Sequence, residues 1–192
     1  HYEPEETPFK NLLYGQQRNP TRQEFARPEN PYTPLGSSVF PYVLTTYRLT
    51  EHHTSGAMSR TVPYLAELQP EFFCEVSPEL AAERGLEHAG WATIVTARSA
   101  VEARVMVTNR IKPLQIQGQT VHTVGTPYHW GGAGIVTGDS ANDLLALVLD
   151  NNVHINEYKV GVCDIRPGRR PRGPDRLKLV EEYRRRAEVR TS

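Results

Sequence analysis

The chain has 192 residues, with 22 Lys+Arg against 22 Asp+Glu, 38% hydrophobic residues and a mean hydropathy of -0.53. That length fits one sizeable core, and the balanced charge excludes a long-range pull toward nucleic acid or an anionic surface, so any anion site must be local. No apolar run approaches the roughly 20 residues of a membrane helix, so no direct membrane insertion is expected.

Residues 1–38 are rich in Pro, Asn, Glu and Arg without a sustained period and are expected to form an extended arm over a neighbouring surface. The chain opens at His1, which is read as the start of a piece of something longer or of a processed product. From Val39 the pattern changes: VFPYVLTTY is β-branched and aromatic and predicts a strand ending in a polar cluster. AMSRTVPYLAEL predicts a short helical turn interrupted by Pro63, and EFFCEV a second strand. Ser77-Pro78-Glu79 carries a capping hydroxyl, a proline at the first helical position and an acid in the first turn, so a helix is expected from there to Gly85.

WATIVTA and VEARVMVT predict a hairpin around Arg98-Ser99, with Val101, Ala103, Val105 and Val107 on one face. PLQIQGQTVHTVG is further strand material, DSANDLLALVL reads as a helix capped by Asp139 or Ser140, and YKVGVCDI is a final strand. The tail from Pro174 predicts a charged helix, solvated or docked on another subunit. Many short strands with few helices, no internal repeat and no βαβ alternation predict a mainly β (α+β) closed or partly closed barrel over 39–167, followed by a basic linker and helix over 168–192. Cys74 and Cys163 lack CxxC spacing and are expected to be buried thiols; neither they nor the composition assigns a compartment.

Arg48, Glu51, His52 and His53 follow the first strand, and three readings are open: an acid/base site, a metal site, or anchors for a large polar ligand. Adjacent histidines on an extended segment point to opposite faces, which disfavours a shared metal. Two further clusters favour a ligand. PYHWGGAGIVTGDSAND sets Tyr128, His129 and Trp130 before a glycine-rich loop and a helix start, where backbone N–H groups and aromatic faces meet phosphate and base; INEYKV sets Lys159 at the entry to the last strand. The basic runs GRRPRG and YRRRAEVR are balanced by Glu181, Glu182 and Glu188, and nucleic-acid binding is not expected.

TTYRLTEHHTSGAMSRTVPYL, IKPLQIQGQTVHTVGTPYHWG, DSAND and EYKVGVCDI together resemble the C-terminal domain of molybdenum- or tungsten-dependent formate dehydrogenase catalytic subunits, and HYEPEETPFKNLLYG resembles the segment before it. The resemblance covers residues 1–167. It implies a double-psi β-barrel of the aspartate-decarboxylase-like kind that holds a molybdopterin guanine dinucleotide (bis-MGD, with Mo or W). Carried over by motif, the cofactor-binding positions are Thr46, Tyr47, Arg48, Leu49, Thr50, Glu51, His52, His53, Thr54, Ser55, His129, Asn142 and Lys159.

The R-x-x-E-H-x-x-x-G-x-M-x-R pattern of related periplasmic nitrate reductases is matched by Arg48, Glu51, His52, Gly56, Met58 and Arg60, and departs at His53 and Thr54. The metal ligand and iron-sulfur cluster would come from an upstream region, so the chain is not expected to turn over formate alone. Its implied partners are the remainder of the catalytic subunit and an iron-sulfur electron-transfer subunit. A reading in a different class is a non-catalytic barrel module that captures a nucleotide or a partner protein.

Overall fold

The structure, a computed structural model, describes residues 38–116, 118–128, 130–132, 134–145, 155, 159 and 161–188. The expected arm over 1–38 therefore lies outside the described residues except for Ser38, as do His129 and the continuation of the DSANDLLALVL segment past Leu145.

Eight strands are described: β1 (Tyr42–Tyr47), β2 (Phe73–Val76), β3 (Trp91–Val95), β4 (Ala100–Val107), β5 (Leu114–Ile116), β6 (Gln119–Val121), β7 (Thr123–Pro127) and β8 (Gly161–Pro167). Six close into a barrel in the order β1-β7-β2-β4-β3-β8, while β5 and β6 form a separate hairpin. β1 is parallel to β7 and β2 to β4; the other barrel pairs are antiparallel. Exchanging β1, β2, β3 for β4, β7, β8 reproduces every neighbour and every direction, the pseudo-twofold topology of the double-psi barrel. No internal repeat is visible in the residues; the repeat is one of strand connection.

Alternation along the strands builds the core. Val101, Ala103 and Val105 of β4 point inward with Leu44, Cys74, Val76, Ile94, Val124, Cys163 and Ile165. Both cysteines are free and buried, as expected, and burial pushes the Cys74 thiol up to about 12. Gly125 of β7 admits the Tyr47 ring: a Cβ there would lie 2.8 Å from Tyr47 Cε1 and 2.6 Å from Ile111 Cδ1.

Three α-helices are described: α1 (Pro63–Leu68), α2 (Pro78–Arg84) and α3 (Pro174–Glu188). Pro63 opens α1 and does not interrupt it, because the first turn of a helix needs no N–H donor at that position. α2 has the predicted ends: the Ser77 hydroxyl accepts from Leu80 N at 3.2 Å, a cap of about 1 kcal/mol, and Gly85 closes it in the left-handed conformation. The expected DSANDLLALVL helix is only a 3-10 turn, Ala141–Asp143, among the described residues.

One face of α3 docks on its own barrel, and the other is solvent-exposed. Leu179, Val180, Tyr183 and Ala187 form a helical stripe buried against Val43, Val95, Ala100 and Val162 on the barrel's outer face. Tyr183 Oη donates to Asp164 at 2.6 Å, and Arg84 reaches the other oxygen of that carboxylate at 2.5 Å.

Candidate functional site

Strand direction gathers the predicted clusters at one end of the barrel. The C-terminal ends of β1, β7 and β3 and the N-terminal ends of β2, β4 and β8 share one rim. The polar segment after β1, the Tyr128–Trp130 stretch after β7, the Asn142 turn and Lys159 before β8 all issue from connections at that rim. Inside it the barrel lining becomes polar: Thr46 and Thr126, register partners, follow Leu44 and Val124 at two-residue spacing, and the buried Thr126 Oγ1 has no hydrogen-bond partner.

Tyr128 is the point of convergence. Its backbone N donates to Tyr47 O at 2.7 Å, extending the β1–β7 ladder past the strand ends. The exposed Arg48 guanidinium lies 3.8 Å from its ring centroid, and Lys159 Nζ lies 5.9 Å from the same centroid while donating to Thr46 O at 2.8 Å. Residues more than a hundred positions apart thus set two cations about one aromatic ring. Tyr128 is absent from the positions that the resemblance implies; its signal was an aromatic placed directly before the glycine-rich loop.

Elsewhere the segment divides into contact surface and support. Thr50, His53 and Thr54 are exposed, Glu51 and Ser55 half-buried, and Leu49 packs against the core. Ser55 Oγ accepts from Ala57 N at 3.3 Å, and Gly56 N donates to His53 O at 2.7 Å, closing a turn in which Thr54 takes a φ of 47°, unusual for a β-branched residue. Tyr47 packs its ring on Phe73, at 6.3 Å between centroids. Asn142 is exposed on its turn, its N–H donating to the capping Ser140 hydroxyl at 3.2 Å.

His52 faces inward, opposite in exposure to His53. Its Nε2 lies 3.0 Å from Gln69 O and its Nδ1 3.3 Å from Ser59 Oγ, and its ring meets Trp130 edge-on at 5.0 Å. Arg60, only 3% exposed, reaches across to Gly131 O and Val136 O at 3.3 and 3.2 Å, while its own carbonyl accepts from Ile135 N at 2.8 Å. Part of the polar segment after β1 is thus buried support: His52, Ser59 and Arg60 are buried, each with polar partners. Gly56 explains part of the spacing, since with φ +71° it admits Arg60, whose Nε would lie 3.0 Å from an added Cβ.

No group of three or more His, Cys, Asp or Glu among the described residues has metal-site geometry. The basic run of 168–172 is satisfied within the chain: Arg169 and Arg172 both reach Glu102 Oε1 at 2.7 Å, and Arg170 holds Asp139 in a fork of 2.5 and 2.8 Å. Burial alone would raise the Asp139 carboxyl, but hydrogen bonds from Arg170 and the Glu102 N–H outweigh it and hold the group below its ordinary range. Asp139 is therefore not the cap of the 3-10 turn; Ser140 is.

Comparison with known proteins bears on this rim. The family model described as Molydopterin dinucleotide binding domain matches residues 42–162. Formate dehydrogenase 2 subunit alpha (cytochrome c-553) of Nitratidesulfovibrio vulgaris is 37% identical over 167 residues, and the formate dehydrogenase subunit alpha of Megalodesulfovibrio gigas 38% over 171. The nitrate-inducible formate dehydrogenase major subunit of Escherichia coli is 40% identical over 169 residues. Each alignment covers 86% of this chain but 16% of the relative's length. Acetylene hydratase from Pelobacter acetylenicus shares the fold, with a TM-score of 0.52 and 15% identity over 67% of this chain and 18% of its own.

Proposed function

The chain belongs to the molydopterin dinucleotide binding domain family, and on that premise we propose that its barrel rim holds the guanine dinucleotide end of bis-MGD within a formate dehydrogenase catalytic subunit. The observation that carries the reading is the convergence of Arg48 and Lys159 on Tyr128. A diphosphate cannot be desolvated without cationic or N–H partners, and this donor set fits one: a guanidinium fork, an ammonium and an unpartnered buried hydroxyl at Thr126.

In this reading Arg48 takes the diphosphate as a hydrogen-bonding fork and Lys159 acts as a point charge on phosphate or a pterin oxygen. Glu51, Asn142 and the hydroxyls of Thr50, Thr54 and Ser55 meet ribose and the purine edge, with His53 completing the wall; His129 is assigned to the site by the motif alone. Tyr47, Leu49 and His52 support from below, and the Thr46 carbonyl orients Lys159. When bound, the cofactor with its Mo or W supplies the two-electron chemistry of formate oxidation to CO2. The metal ligand, an iron-sulfur cluster and the electron-transfer subunit are assigned to the rest of the assembly; this chain's own contribution is to orient and to exclude water.

The test is metal and guanine content of the assembled enzyme. Arg48→Ala and Asn142→Ala are expected to lower both. Full occupancy in both variants would sink the reading.

A further inference from the structure

The Asn142 turn has anchors on both sides. Before it, Asp139 Oδ2 accepts from Glu102 N at 2.9 Å and both Asp139 oxygens are held by Arg170; after it, Leu144 O accepts from Thr96 Oγ1 at 2.8 Å, and the Leu145 side chain lies beside Gly161 at the start of β8. Thr96 and Glu102 belong to the β3–β4 hairpin, so the turn is strapped to rigid barrel wall on either side of Asn142. Arg170 differs in origin: it lies eight residues past the segment that the family model matches, on the connection from β8 to α3. With the Arg170 side chain 11% exposed and that of Asp139 16%, water screens their fork little.

We propose that Asp139 and Arg170 are positioning residues that hold the Asn142 turn in register for the dinucleotide, so that the segment beyond the barrel takes part in cofactor binding; this rests on the proposed cofactor site. Neither touches the ligand. A carboxylate at 139 organises the turn through the Glu102 N–H, and the two-pronged guanidinium fixes the plane of that carboxylate, which a lysine cannot do.

The test uses the full chain with GDP as probe, calorimetry for affinity, and amide hydrogen exchange over 134–145 with the β3 and β4 amides other than Glu102 as folding control. Arg170→Ala and Asp139→Asn are expected to speed exchange over 134–145, leave β3 and β4 protected, and weaken GDP about tenfold, the size of one charge-assisted hydrogen bond. Arg170→Lys, which keeps the charge and loses the fork, falls between, and Lys178→Ala on the exposed side of α3 changes neither readout. A merely structural pair would change exchange without changing GDP affinity in the folded variants, and that result overturns the proposal alone. No GDP binding by the unaltered chain would overturn the dinucleotide reading, and this inference with it.

Discussion

Arg169, Arg170 and Arg172 end on carboxylates of their own chain, whereas Arg48 and Lys159 end on the face of Tyr128 and on a backbone carbonyl. In sequence the first group is the more conspicuous, three arginines in four positions, and it invites a phosphate-binding reading. In the fold its charge is matched by Glu102 and Asp139. The rim cations are separated by more than a hundred residues and form no cluster until the barrel closes. The lesson is that a cation's availability is set by its partners and not by its density along the chain: matched arginines hold the fold, and cations over an aromatic ring at a strand end are what the proposed anion site rests on.

That contrast is open to direct attack. The largest effect is expected for Arg170→Ala, which strands the Asp139 carboxylate in a poorly hydrated site and should cost about 3 kcal/mol in a urea melt; a loss below about 0.5 kcal/mol would remove the structural side of the comparison. Next comes His52→Ala, expected to cost about 2 kcal/mol through two lost polar contacts and the Trp130 packing, whereas His53→Ala at the exposed neighbour should stay within about 0.5 kcal/mol. Equal costs for the two histidines would mean that the segment is not divided as described.

A smaller effect should follow pH. The Asp139 and Glu102 carboxyls are held below their ordinary values, against burial, by arginine hydrogen bonds. Because the folded-state pKa lies below the unfolded one, their stabilisation is fully present above the unfolded carboxylate pKa and is lost as pH falls through the folded value. Melting temperature followed downward from neutral pH should therefore drop through the acid range, and Asp139→Asn should flatten the slope. The smallest stability effect belongs to Arg48→Ala, within about 0.5 kcal/mol, since its contact among the described residues is an exposed stack on Tyr128. A large destabilisation there would make Arg48 another structural arginine and dissolve the contrast.

Much of the fold is legible before folding. The α2 ends rest on Ser77, Pro78 and Gly85, all neighbours in sequence, and the β3–β4 hairpin on alternation and a short turn. Ser140 caps the 3-10 turn at Ala141–Asp143 as it would cap an α-helix, so the start of the DSANDLLALVL element is legible, while its continuation past Leu145 lies outside the described residues. The roles of Arg60, Tyr128 and Asp139 are less legible because they depend on partners 71 and 76 residues away for Arg60, 80, 81 and 31 away for Tyr128, and 31 or 37 away for Asp139.

By itself, then, the sequence determined where most strands and helices lie, that a polar segment follows the first strand, and, through its motifs, the family. These are matters of local conformational preference and composition, which neighbouring residues settle among themselves. Only the tertiary structure decided that His52 and Arg60 are buried supports while Arg48 and His53 face out, that Arg48 and Lys159 meet at Tyr128, and that the arginines after β8 are taken up by Glu102 and Asp139. Barrel closure brings remote residues together and excludes water from some charges but not others, and no local pattern encodes which charges those will be.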